Sequence, residues 1–131
     1  MKKLAYLLKA VGGIQIVLGL AYLFAPAFFL HAMGHSAPQA DIYYPLGMLA
    51  ARFIGYGIAL IVVSGAPAQH VLWINTMILI QTIDLGAGIF YTATGAVPLS
   101  LSAFPMFNAI WIILLLALWR PKQPAAGGAA A

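Results

Sequence analysis

Between Lys9 and Arg120 this chain carries only three formally charged side chains, Asp41, Arg52 and Asp84. Soluble domains hold about 25% charged residues. Here the figure is 6% of 131 residues, against 64% hydrophobic. So little charge cannot cover a water-facing surface, and the sequence therefore reads as an integral membrane protein. Four long apolar segments, at about 4–29, 45–63, 71–91 and 104–119, meet or nearly meet the ~20 residues that span hydrocarbon. The expected fold is all-α, a four-transmembrane-helix bundle forming one domain over 1–122. The Ala/Gly/Pro-rich tail over 123–131 reads as unstructured.

Prolines and basic residues set the expected boundaries and sidedness. Pro26 breaks the first segment near its end. Pro45 suits the first turn of the second, where its missing N–H is no loss; Pro105 is expected to play the same part in the fourth, with Pro121 beyond its end. Lys2 and Lys3 before an apolar run resemble a signal peptide. The run far exceeds the ~7–15 residues of a signal core, so it is read as a retained first helix. Lys2, Lys3, Lys9, Arg120 and Lys122 cluster near the two ends, and the connections 31–44, 64–70 and 92–103 contain no Lys or Arg. The positive-inside rule then puts both termini in the cytoplasm, of a bacterial inner membrane on this reading, with the first and third connections outside. Tyr43, Tyr44, Trp73, Tyr91 and Trp119 fall near the expected interfaces, as aromatic belts do. The net charge of +4 is thus a topology signal and not a nucleic-acid footprint.

Arg52 and Asp84 are the two charges inside the apolar segments. Each costs about 2.5–3.5 kcal/mol in hydrocarbon unless paired or lining a cavity. Counted from the outer ends of their helices, both lie ~10 Å deep at 1.5 Å per residue, so an ion pair between them is expected. Tyr56 is one turn from Arg52 on the same face, and Gln81 is three residues before Asp84. Gln15 falls near mid-membrane on the first helix and Asn108 one turn into the fourth. Two readings stay open. The cluster is a clasp that fixes helix register, its amides satisfying leftover donors; or it is a small polar pocket in the outer half that holds a carbonyl, a phenol or a head group.

Small residues mark close helix approach. Ala51, Gly55 and Ala59 form a small-xxx-small ridge on the second helix, Gly12 and Gly19 stand seven apart on the first, and Gly86 and Gly88 follow Asp84. Intramolecular packing is the expected use, with a partner subunit the alternative. Residues 110–118, nearly all large aliphatics, offer lipid or a partner an apolar surface.

Catalytic signals are absent. With no cysteine, disulfides, iron–sulfur clusters and thiolate chemistry are excluded. There is no phosphate loop, no carboxylate pair and no Ser–His–Asp order, and Ser100 and Ser102 have no evident base. His31 and His35, four apart and near Asp41, form a weak metal or haem candidate without a third ligand; the expected role is as interfacial histidines at a helix end. Autonomous catalysis is not expected.

The layout resembles small four-helix membrane proteins of the DoxX-like type over about residues 4–120. The residues that carry the likeness are Gly19 with Pro26, Arg52 with Gly55 and Gly57, and Asp84-Leu85-Gly86. Some members of that family look like membrane subunits of quinone-reducing sulfur-oxidation complexes, so the resemblance implies a compact bundle that contacts quinone and works beside other subunits. The expectation is an accessory or anchoring subunit of a respiratory or photosynthetic electron-transport complex. It would have no cofactor of its own, would contact quinone or lipid at an outer-half pocket, and would partner the bilayer, other membrane subunits or further copies of itself. The second reading is a stand-alone oligomeric carrier or channel for a small neutral or weakly acidic solute. It ranks lower because the polar residues concentrate in the outer half, with only Asn75 near the inner side.

Overall fold

A computed structural model describes residues 1–122; the tail expected over 123–131 lies outside them. The elements run α1 (Lys2–Phe24), α2 (Pro26–Ala32), a 3-10 turn at Ala40–Ile42, α3 (Tyr43–Val63), a second 3-10 turn at Pro67–Gln69, α4 (Val71–Ala93) and α5 (Leu99–Trp119). No strand occurs among the described residues. Four helical segments, ending in α1, α3, α4 and α5, are long and apolar enough to cross a membrane. Their outward faces carry Val17, Val62, Leu79, Ile83, Leu114 and Leu118, all well exposed, a surface suited to lipid.

Proline sets two boundaries, one as the sequence reading has it and one not. The first segment breaks at Pro26, as expected. It stops at Phe24, and Ala25 leaves helical geometry (φ −139°, ψ 52°) before Pro26 opens the separate α2. A residue preceding proline is crowded out of the α region. The fourth helix does not begin at 104 with Pro105 in its first turn. It begins at Leu99 behind an extended Pro98, and Pro105 lies inside it. There the proline withholds one backbone hydrogen bond, a defect that membrane helices tolerate. The connection 92–103 accordingly shrinks to 94–98, turned by Gly95 at φ +79°.

The bundle is two antiparallel pairs. α1 lies against α3 so closely that a Cβ on Gly57 would sit 2.6 Å from the Gly12 carbonyl oxygen, and one on Gly12 2.6 Å from that of Gly57. One turn pair further along, Gly19 meets Ala50 and Ile54. The ridge in use is therefore Ala50/Gly57 and not the expected Ala51/Gly55/Ala59; a Cβ on Gly55 would meet nothing within 4 Å. α4 pairs with α5 through Gly88, which seats Met106, and through a 2.6 Å hydrogen bond between the hydroxyls of Thr92 and the buried Ser102. Replacing Ser102 by alanine removes that tie but leaves Thr92 bonded to the Gly88 carbonyl. The expected loss is about 1 kcal/mol, read as a small drop in the midpoint of thermal unfolding in detergent.

The two pairs join through an apolar plug of Leu4, Leu8, Leu60, Ile74, Ile112 and Leu116, all essentially inaccessible. These residues come from the start of α1 and α4 and the end of α3 and α5, so the plug fills one half of the bundle only. At that end the Lys3 ammonium lies 5.7 Å from the Trp119 ring centre and Arg120 Nη1 donates to Asn75 Oδ1 at 2.7 Å. With Lys2 and Lys122 nearby in sequence, this is the basic end. The opposite, loop end carries the connections 33–42 and 94–98.

Candidate functional site

Residues seven apart share a helix face, so burial can be followed along each face from the basic end toward the loops. On α4, Met77 is inaccessible and Gln81 is 3% exposed, yet Asp84, seven beyond Met77, is exposed. On α5 the buried Ile112 gives way to the exposed Pro105, and on α3 the buried Leu60 to the half-buried Phe53. On α1, Leu8 and Gln15 are buried and Tyr22 is half-buried. The faces within each pair stay closed along their length: Gly12, Gly19, Ala50 and Gly57 remain buried, as do Ser102 and Ala109. The two pairs therefore stay shut internally and part from one another toward the loop end. From this loss of burial we infer a vestibule between the pairs, with Tyr22, Phe53, Asp84 and Pro105 around it and the buried Gln15 and Gln81 at its foot.

The floor is polar and incompletely satisfied. Gln15 is 2% exposed and, among the described residues, its Nε2 has no hydrogen-bond partner. Gln81 Nε2 reaches only the Met77 sulfur, at 3.4 Å, and a thioether is a weak acceptor. A buried amide donor left without a partner costs about 1–3 kcal/mol. Counted from the basic ends of their helices, Gln15 lies about 20 Å and Gln81 about 15 Å along the bundle. Two amides at similar depth thus face the interior with donor capacity to spare. Chemically, such donors would be satisfied by an acceptor oxygen, as in a carbonyl, an ether, an ester or a phosphate.

The other expected site residues are dispersed. Arg52 and Asp84 form no ion pair. The Arg52 guanidinium is exposed and donates to the Met48 carbonyl of its own helix at 2.9 Å. Their depths match, as expected: Arg52 is nine residues inside the first residue of α3, and Asp84 nine residues before the last of α4. The separation is lateral. α3 and α4 are held together near their short connection, where Tyr56 packs edge-on against Trp73 with ring centres 5.7 Å apart. From that contact Arg52 lies one turn outward on α3 and Asp84 about three turns outward on α4, each exposed at the edge of the seam and not bonded to the other. Tyr56 is spent in that contact, and Asn108 Oδ1 accepts from Trp111 Nε1 of the same helix at 3.0 Å.

His31 sits in the last turn of α2 and His35 beyond Gly34, whose φ of +90° ends the helix. The two rings are therefore not stacked on one helix face, and no group of three or more His, Cys, Asp or Glu side chains gathers among the described residues. Tyr22 and Phe53, whose rings stack with centres 5.9 Å apart, were not singled out from the sequence. The signal was there for Tyr22, seven residues from Gln15. Two open hollows of about 470 and 390 Å³ lie at the basic end, beside Lys3 and Trp119 and beside Asn75 and Arg120. They are far from the amides and hold no buried polar side chain, so the vestibule is the better candidate.

No protein-family model, characterised protein or solved structure matches this chain.

Proposed function

We propose that this chain is a non-catalytic accessory subunit of a membrane electron-transport complex that holds a lipid-soluble molecule, a quinone or a lipid head group, in the vestibule. The observation that carries the binding role is the unpartnered Gln15 amide at the foot of an opening between two helix pairs. A quinone carbonyl or a lipid ester oxygen supplies the acceptor that Gln15 and Gln81 lack, while Tyr22 and Phe53 offer aromatic faces to a ring or acyl chain. The subunit role draws on the resemblance to DoxX-like proteins and on the short connections, which leave partners little to grip outside the apolar helices. In this reading the basic end is cytoplasmic and the vestibule opens in the outer leaflet of a bacterial inner membrane.

The carrier reading is less well supported, because the plug of six large apolar side chains stops any polar path through the basic half. Purification from the native membrane in mild detergent, followed by identification of every protein, lipid and quinone that accompanies the chain, tests the proposal. A stoichiometric set of redox subunits is the expected result. A chain that arrives alone, or only with copies of itself, overturns the subunit role.

A further inference from the structure

We propose that two copies of this chain associate across their α3/α4 seams, Arg52 of each pairing with Asp84 of the other about a twofold axis parallel to the helices. The inference rests on the placement of these helices in a membrane and not on what the vestibule holds. Each charge is exposed on one lip of the seam; Arg52 bonds only to its own helix, and Asp84 has no hydrogen bond or ion pair among the described residues. In hydrocarbon both need a partner of opposite sign.

The geometry selects a second copy. A twofold axis parallel to the helices preserves depth, and Arg52 and Asp84 stand at the same depth on neighbouring helices. Rotation about such an axis sets α3 of one copy opposite α4 of the other, so a single operation satisfies all four charges at once and the contact closes on itself. The lips permit close approach. Gly55 and Ala87, three residues from Arg52 and Asp84 respectively, are exposed, and nothing lies within 4 Å of the position a Cβ would take on Gly55. A glycine facing outward beside a charge suits a helix–helix contact between subunits.

Charge exchange between copies is the test. R52D and D84R variants, each with its own affinity tag, are expressed separately and together, and self-capture and cross-capture are measured in detergent. Alone, each variant sets like charges opposite one another and is expected to lose self-association by about tenfold or more. Together they recover it, because the carboxylate introduced by R52D in one chain meets the guanidinium introduced by D84R in the other, while the wild-type pair forms across the second contact. Undiminished self-capture of either single variant overturns the proposal, as does failure of two monodisperse variants to capture each other. Should the variants not fold, the wild-type chain answers alone. Fluorescently labelled protein at low density in lipid vesicles bleaches in two steps if dimeric, and single-step bleaching overturns the pairing. Loss of co-purifying redox subunits or quinone, with the dimer intact, would count against the proposed function and leave this inference standing.

Discussion

Replacing Gly57 by alanine is expected to destabilise the bundle by about 1–3 kcal/mol, whereas the same change at Gly55, two residues away, is expected to be neutral or stabilising by about 0.5–1 kcal/mol. A helical glycine is normally worse than alanine because it loses more backbone freedom on folding. That gain applies at both sites. At Gly57 it is overwhelmed, because the added methyl would stand 2.6 Å from the Gly12 carbonyl oxygen and 2.7 Å from an Ile16 side-chain carbon. The carbonyl belongs to the α1 backbone and cannot rotate away, so α1 and α3 must separate. At Gly55 the methyl meets nothing within its own chain, so the comparison is made on the monomer, where no second copy covers the α3/α4 seam. Gly12 repeats the first case and Gly13, with nothing within 4 Å, the second. Thermal unfolding of the four single alanine variants in one detergent gives the comparison. A drop at Gly12 and Gly57 with no drop at Gly13 and Gly55 is the expected pattern; four equal shifts would mean that α1 and α3 do not meet at these glycines.

Gln15→Met is expected to have two opposed effects, and the opposition is informative. Methionine approximates the length of glutamine and brings no donor, so it removes a buried N–H that lacks a partner. The empty protein should gain about 1–2 kcal/mol, the penalty of an unmatched donor, less any misfit of the new side chain. A molecule held through its acceptor oxygen should at the same time be lost from the vestibule. A residue that served only to bind two helices would behave otherwise: stability would fall and any bound molecule would be unaffected. Thermal unfolding of lipid-stripped protein reads the first effect, and the content of co-purified quinone or lipid the second.

Much of the architecture was legible in the chain. Four apolar runs near 20 residues admit few folds besides four helices, and the short polar connections between them favour antiparallel neighbours. What was not legible is azimuth. Sequence gives the depth of Arg52 and Asp84 well, since depth needs only the rise per residue, and their depths do match. It does not say where around the bundle each charge points, and the ion pair expected from matched depth is not made within one chain.

The small-residue ridges show the same limit. Ala51/Gly55/Ala59 and Ala50/Gly57 are both valid helix-packing patterns on α3. The second is selected because Ala50 and Gly57 are seven apart, as are Gly12 and Gly19 on α1, and equal spacings on antiparallel helices bring both contacts into register. That match was present in the sequence and would have pointed to the right face. Pro105 could not be resolved in this way. A proline fits the first turn of a helix better than its interior, and only the start at Leu99 places it inside. The hydrogen bond from Arg120 to Asn75 joins residues 45 positions apart and had no local signal.

The vestibule as a binding site is tested most directly by mass spectrometry of the chain released from lipid nanodiscs, comparing wild type with Gln15→Met. A quinone or lipid retained at one per chain by the wild-type protein, and absent from the variant, is the expected result. A wild-type chain with nothing bound, or an equal load on both proteins, would contradict it.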